Sequence, residues 1–119
     1  MINYVQLNVM DLGRTVAFYD SMLSPLGWRR HTEGSASAAW GLQKPAFYVI
    51  ESEAVRPGWG LVSFPANSIP AVRAAYEAAV GAGGESVSEP GASPSMGAGN
   101  YACQIHDPDG YLIEVSVSN

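Results

Sequence analysis

Residues 2–20, INYVQLNVMDLGRTVAFYD, contain a change of hydrophobic period that predicts a strand followed directly by a helix. From Val5 to Val9 apolar side chains alternate with polar ones, which is typical of a strand with one buried face. After the next aspartate, a residue suited to capping a helix, the apolar side chains recur at helical spacing. Pro25 and Gly27 predict the end of that helix.

The same pattern returns in residues 61–84, LVSFPANSIPAVRAAYEAAVGAGG, at a constant offset of 57 positions. Ser68 takes the capping position of Asp11, and Pro70 falls in the first helical turn, where proline is tolerated. We interpret the match as an internal duplication. The aligned pairs include Val5 and Val62, Leu7 and Phe64, Tyr19 and Tyr76, and Gly27 and Gly84.

Further strands are predicted around residues 28–32, 37–42, 46–52, 100–106 and 111–117, the last two joined by the turn sequence DPDG. Each half therefore reads as strand, helix and three strands, in one domain spanning residues 1–119. Module one covers about residues 1–52 and module two about 60–119. Residues 86–100, SVSEPGASPSMGAGN, read as a long irregular loop, either a lid or a tolerated surface insertion.

Composition restricts the classes of function. With 47% apolar and 14% charged residues, the 119-residue chain is expected to fold around one core. A net charge of −5 with six basic residues argues against binding nucleic acid or anionic membranes. A single cysteine, Cys103, excludes an intramolecular disulfide and a thiolate zinc site. No apolar run has the length of a membrane span and no basic leader precedes one, so we expect a cytoplasmic protein.

Three features together carry a resemblance: DLGRTVAFYDSMLSPLGW (11–28), HDPDGYLIEV (106–115) and the internal repeat. The chain resembles the vicinal oxygen chelate superfamily, which includes glyoxalase I, bleomycin-resistance proteins, fosfomycin-resistance enzymes and extradiol dioxygenases. The resemblance implies an α+β fold in which two βαβββ modules form an open, curled mixed sheet around a central cavity. It also implies a homodimer, because members of this length usually pair, and pairing covers exposed sheet edges.

The resemblance further implies where a divalent cation would be held, namely on the first and last strands of each module. Here the first-strand positions carry Tyr4 and Leu61, the last strand of module two carries Glu114, and the last strand of module one offers Val49 or Glu51. Leucine donates no electron pair, and a phenol is a poor ligand unless it is deprotonated. Both histidines fall outside these positions. We therefore expect no metal and no other cofactor or, failing that, one divalent ion at a degenerate site.

Strand alternation indicates the side chains that face the cavity. If the apolar residues of each strand pack under the helices, the intervening residues point inward, although those of the first strand could instead face water. Trp40, Tyr48 and Trp59 either supply aromatic surface at the rim or pack in the core or a subunit contact. The candidate ligand-binding residues are Tyr4, Gln6, Asn8, Glu51, Leu61, Ser63, Gln104 and Glu114.

Glu114 is the candidate catalytic residue. A carboxylate in a partly apolar cavity needs a hydrogen-bond donor or a cation nearby. Because the resemblance implies that positions 4 and 114 converge, we predict that the phenol of Tyr4 donates to Glu114 directly or through one water. A poorly solvated carboxylate there can act as a general base or remain purely structural. The chain has no phosphate-binding loop, nucleophile elbow or Cys–His pair.

Three functions follow from these residues. The first is a metal-independent small-molecule-binding protein like the drug-sequestering resistance proteins, with a planar or aromatic ligand favoured by the tryptophans and tyrosines. The second is a glyoxalase-like lyase or isomerase, or a dioxygenase, with a degenerate metal site or Glu114 as general base. The third is a regulatory or structural dimer with a vestigial pocket.

Overall fold

The structure, a computed structural model, describes residues 2–92 and 99–118. Within these ranges its strands form two mixed four-stranded sheets, of order β1-β4-β3-β2 and β5-β8-β7-β6, which do not close into a barrel. In each sheet the first strand pairs in parallel with the last, and the other pairs are antiparallel. The predicted α+β class is confirmed. The elements are β1 Val5–Val9, α1 Leu12–Leu23, β2 Arg29–Glu33, β3 Ser37–Gly41, β4 Pro45–Glu51, β5 Val62–Pro65, α2 Ile69–Gly81, β6 Glu85–Ala92, β7 Asn100–His106 and β8 Leu112–Ser118.

Both helices begin where the capping residues predict. The side chain of Asp11 accepts a hydrogen bond from the backbone N–H of Arg14 (3.0 Å), and that of Ser68 accepts one from Ala71 (3.2 Å). Each cap satisfies a backbone donor that the helix itself leaves unpaired. None of the helices in the described ranges is long and apolar enough to cross a lipid bilayer.

After α2, the glycine that adopts a positive φ lies one residue before the glycine that the repeat pairs with Gly27. Gly27 adopts a φ of 82° after α1, but after α2 the positive φ of 103° belongs to Gly83. Gly84, the residue paired with Gly27 by the repeat, is needed for a different reason. A Cβ there would lie 2.8 Å from the ring of Phe18 and 2.9 Å from the carbonyl oxygen of Ala79. The duplication therefore keeps a glycine at 84 for close packing rather than for dihedral freedom.

One core joins the helix-covered faces of the two sheets. The ring of Phe64 on β5 lies 5.1 Å from that of Phe47 on β4 and 5.3 Å from that of Trp28. Trp40 on β3 is fully buried and donates its indole N–H to Asp20 (2.9 Å). Trp40 is thus a core residue and not part of a cavity rim, because its strand alternation turns it toward α1.

The DPDG turn links the two halves of the chain. Asp107 accepts hydrogen bonds from the phenol of Tyr19 on α1 (2.5 Å) and from the backbone N–H groups of Asp109 and Tyr111 (3.0 Å each). Tyr111 in turn donates its phenol to the carbonyl of Asn8 on β1 (2.6 Å). We call the set Tyr19, Asp107, Asp109 and Tyr111 the Asp107 clasp. It connects the turn between β7 and β8 to the first strand and helix.

The predicted loop at residues 86–100 is wrong over its first part. Residues 85–92 form β6, which pairs with β7 through two irregularities in register. Because β6 is a largely exposed edge strand with Pro90 near its end, it shows no alternation of apolar side chains. Residues 93–98, the middle part of the predicted lid, lie outside the described residues.

Candidate ligand-binding site

Each sheet has a polar face opposite the shared core. On β1 the core side carries Leu7 and Val9, which are buried, so Gln6 and Asn8 lie on the other side. On β8 the core side carries Ile113 and Val115, and Glu114 lies on the other side. We call these surfaces the first polar face, on the first sheet, and the second polar face, on the second sheet.

The second polar face brings three candidate residues together. Ser63 and Gln104 are the register partners of Glu114 on the neighbouring strands β5 and β7. Ser63 donates its hydroxyl to Oε1 of Glu114 (2.8 Å), and Gln104 donates its amide to Oε2 (3.3 Å). Only 2% of Glu114 is exposed, so these two neutral donors replace water around a buried carboxylate.

A cavity of about 220 Å³ adjoins Glu114. Its walls come from β6, β7 and β8, and β6, which lies in the segment predicted as a loop, contributes half of the lining. No local pattern identified these residues, because an exposed, bulged edge strand has no periodic signal. The lining residues are Ser88, Glu89, Gly91, Ala92, Ala102, Cys103, Gln104 and Glu114.

Cys103 contributes to this lining from β7, one residue before Gln104. Only 1% of the residue is exposed, and burial raises the pKa of its thiol to about 11, with the charge of Glu114 as a smaller raising effect. The thiol is therefore protonated at neutral pH and is a poor nucleophile. Such burial is typical of a cysteine that packs as a small apolar residue.

The predicted hydrogen bond between Tyr4 and Glu114 is absent within the described ranges. Tyr4 is 56% exposed, and its ring packs edge-on against that of Tyr48, with ring centres 5.0 Å apart. Glu114 receives its hydrogen bonds from Ser63 and Gln104 instead. The prediction is wrong for the single chain because Tyr4 precedes β1 on the first sheet and Glu114 belongs to the second.

The other candidates of the first strands lie apart from this cluster. Gln6 is exposed, in agreement with the alternative that residues of the first strand face water, and Leu61 is 39% exposed. Asn8 donates its amide to the carbonyl of Ala54 (3.0 Å), so it holds the connection between the sheets. The ligand-binding roles of these three residues remain predictions.

Glu51 does not lie on the polar face. Val49 is fully buried on the core side of β4, and Glu51, two residues later, points the same way. Its carboxylate accepts the backbone N–H of Leu12 (2.9 Å) at the start of α1. The residue matching Glu114 is Tyr48, because Gln6 pairs with Tyr48 as Ser63 pairs with Glu114. Sequence alone left this register open, since nearly every residue of AFYVI is apolar.

The cation implied by the resemblance does not fit these residues. The corresponding positions carry the phenols of Tyr4 and Tyr48, the aliphatic Leu61 and one carboxylate, Glu114. Hard cations require several oxygen ligands, and softer ones require imidazole or thiolate. Across residues 2–92 and 99–118, no group of three or more His, Cys, Asp or Glu residues is placed to hold a metal ion.

Comparison with known proteins gives one family and many similar structures. The family model described as the Glyoxalase/Bleomycin resistance protein/Dioxygenase superfamily matches residues 1–115. No match was found among curated proteins.

Among solved structures, a glyoxalase/bleomycin resistance protein from Albidiferax ferrireducens T118 is 24% identical, with 98% of each chain covered and a TM-score of 0.89. A glyoxalase-related enzyme from Fulvimarina pelagi is 20% identical over 99% of this chain and 88% of the other, with a TM-score of 0.80. The fosfomycin resistance protein FosX from Listeria monocytogenes is 17% identical over 100% and 93%, with a TM-score of 0.74. At these identities the likeness shows the fold.

Proposed function

This chain belongs to the Glyoxalase/Bleomycin resistance protein/Dioxygenase superfamily, and we propose that it is a metal-independent protein that binds a small organic molecule at its polar faces. The observation that carries the proposal is the cavity of about 220 Å³ at Glu114, with the carboxylate held by Ser63 and Gln104. Binding sites for small molecules combine a concave surface with a few oriented polar groups.

The residues at the superfamily's metal-ligand positions support metal independence. A phenol, a second phenol and an aliphatic side chain accompany the one carboxylate at the superfamily's ligand positions. Glu114 is moreover oriented by two neutral hydrogen-bond donors, which direct its oxygens without a cation. Elemental analysis of purified protein tests this point: we expect less than stoichiometric metal, and one bound transition ion per chain would contradict it.

The tyrosine pair on the first polar face favours an aromatic or planar ligand. Tyr4 is more than half exposed and already packs edge-on against Tyr48, and a flat ligand can stack on the same rings. The first polar face thus provides the two tyrosine rings on which a ligand can stack, and the second polar face provides groups that form hydrogen bonds.

A second copy of the chain would bring these two faces together. β1 and β5 are edge strands without charged residues, VQLNV and VSFP. The other two edges, β2 (RRHTE) and β6 (ESVSEPGA), carry charges and, in β6, an internal proline, which are features that protect exposed edges. We therefore propose a homodimer in which β1 of one copy lies beside β5 of the other.

Light scattering tests the dimer. We expect a mass of twice 12.6 kDa, reduced to the monomer value by Leu61→Lys, which introduces a charge next to β5. Leu42→Lys is the matched control, because Leu42 is similarly exposed but lies in the turn between β3 and β4. A monomeric wild type, or a Leu61→Lys variant that remains dimeric, would contradict the arrangement.

A glyoxalase-like lyase or isomerase with Glu114 as general base is the second candidate. The observation that favours it is a buried carboxylate directly at a cavity wall. Dioxygenase chemistry at a degenerate metal site has no such support from the ligand positions. Turnover of a 2-oxoaldehyde hemithioacetal by metal-depleted protein, lost in Glu114→Gln, would replace the binding proposal with this one.

Thermal unfolding in the presence of aromatic compounds tests binding itself. A ligand at a hundred times its Kd adds about 2.7 kcal/mol to the free energy of unfolding. We expect at least one stabilising compound in a library of small aromatic amines, alcohols and acids. The absence of any such compound from this library would contradict the proposed function.

A further inference from the structure

We infer that the cavity at Glu114 recognises its ligand through a protonated amine, so that the ligand class is a small organic molecule bearing a primary ammonium group. The inference rests on the proposed function and specifies the chemistry of the same site. It follows from the charge and the contacts of one carboxylate and from the cavity that adjoins it.

The charge of Glu114 has no cationic partner among the described residues. Its two contacts, Ser63 and Gln104, are neutral. Two of the arginines form ion pairs elsewhere: Arg14 pairs with Asp109, and Arg30 pairs with Asp20. The segment 93–98, SPSMGA, contains no basic residue in its sequence. Within the described ranges the carboxylate of Glu114, which is 2% exposed, therefore contacts only neutral donors, and this arrangement favours a cationic ligand beside it.

The free hydrogen-bonding capacity of Glu114 matches an ammonium group. A carboxylate offers about four lone-pair positions, and Ser63 and Gln104 use one on each oxygen. An ammonium carries three donors on a compact centre, so it can bond the remaining positions and the hydroxyl of Ser88 in the same cavity.

The rest of the lining selects against an anion. Among the described residues the lining contains no basic side chain, and its second acidic residue, Glu89, also borders the neighbouring pocket that contains Arg73. A ligand carboxylate or phosphate would meet the carboxylate of Glu114 with no basic side chain in the described lining. An ammonium group would instead be attracted by the carboxylate of Glu114. The chain's net charge of −5 also attracts cations rather than anions.

Three probes that share a phenyl ring and differ in charge provide the test: phenethylamine, 2-phenylethanol and 3-phenylpropionate, titrated by calorimetry. We expect phenethylamine to bind about tenfold more tightly than 2-phenylethanol, as a charge-assisted hydrogen bond implies, and 3-phenylpropionate to bind most weakly. Glu114→Gln should abolish the preference for the amine. Glu53→Gln, which removes an exposed carboxylate from the connection between the sheets, is the matched control and should retain it.

The possible results separate this inference from the proposed function. Equal or tighter binding of the alcohol or the acid overturns the inference and leaves small-molecule binding intact. Failure of all three probes, together with no stabilising compound in the aromatic library, contradicts both. If Glu114→Gln does not fold, the order of the three probes on the wild type still decides, and Glu114→Asp, which keeps the charge, should keep that order.

Discussion

Asp107, in the turn between β7 and β8, and Glu114, on β8, are both buried carboxylates, but different groups surround them. Asp107, 4% exposed, accepts two backbone N–H groups and the phenol of Tyr19. Glu114, 2% exposed, accepts only the side chains of Ser63 and Gln104 and borders a cavity. The first is surrounded by groups that the fold itself supplies, and the second keeps free capacity for a ligand.

The difference separates a structural role from a binding role. Backbone donors around Asp107 cannot rotate away, so removing their acceptor leaves them unsatisfied in the protein interior. The hydroxyl of Ser63 and the amide of Gln104 can rotate toward the cavity if Glu114 changes. We therefore expect stability to depend on Asp107 and ligand recognition to depend on Glu114.

Asp107→Ala should have the largest effect on stability. It leaves the donors of Tyr19, Asp109 and Tyr111 without an acceptor and opens the Asp107 clasp. We expect a loss of about 3–5 kcal/mol in the free energy of unfolding, measured in urea. Glu53→Ala, at an exposed position, is the control. A loss below about 1 kcal/mol would show that the clasp does not hold the two halves together.

Tyr19→Phe should have an intermediate effect that depends on pH. Burial is the main cause that raises the pKa of Asp107 above 3.8, and the Tyr19 hydrogen bond opposes that rise. The unfolded chain therefore loses this proton first as pH increases, and the folded state becomes less stable from pH 3.8 up to the raised pKa. Without the phenol, the pKa rises further, so the loss of stability should be larger at neutral pH than near 3.8.

Urea unfolding of Tyr19→Phe at several pH values measures this dependence. We expect a loss of about 1.5–3 kcal/mol at neutral pH, the range for a hydrogen bond to a charged group. Met22→Leu on the same helix, a nearly volume-conserving change of a buried side chain that involves no hydrogen bond, controls for packing. A loss that is constant over this pH range would mean that the phenol does not stabilise an ionised Asp107.

Part of this organisation could be predicted from the sequence. Strand faces and helix caps follow from local spacing, so the orientations of Ser63, Gln104 and Glu114 were predictable. The Asp107 clasp was not, because DPDG is sufficient as a turn signal and nothing nearby indicates Tyr19 as a partner. The Tyr4–Glu114 hydrogen bond is not formed within the single chain for a similar reason: it depends on how the two sheets are placed, which no local pattern encodes.

The reactivity of the Cys103 thiol tests how closed the cavity beside Glu114 is, and the expected effect of substituting Glu114 on it is small. Because burial raises the pKa of its thiol to about 11, native protein should react with iodoacetamide far more slowly than the same protein in urea. Glu114→Gln should accelerate the native reaction slightly, since the carboxylate contributes to the raised pKa. Mass spectrometry after timed quenching gives both rates. Equal rates in native and unfolded protein would show that the cavity wall is open at Cys103.

The most direct test of the account combines unfolding and binding measurements on Glu114→Gln. The amide of Gln104 can reverse its orientation to bond the new side chain, so the free energy of unfolding should change by less than about 1 kcal/mol. The preference for phenethylamine over 2-phenylethanol should disappear in the same sample. A variant that loses several kcal/mol of stability, or that keeps the preference for the amine, would contradict the separation of a structural Asp107 from a ligand-binding Glu114.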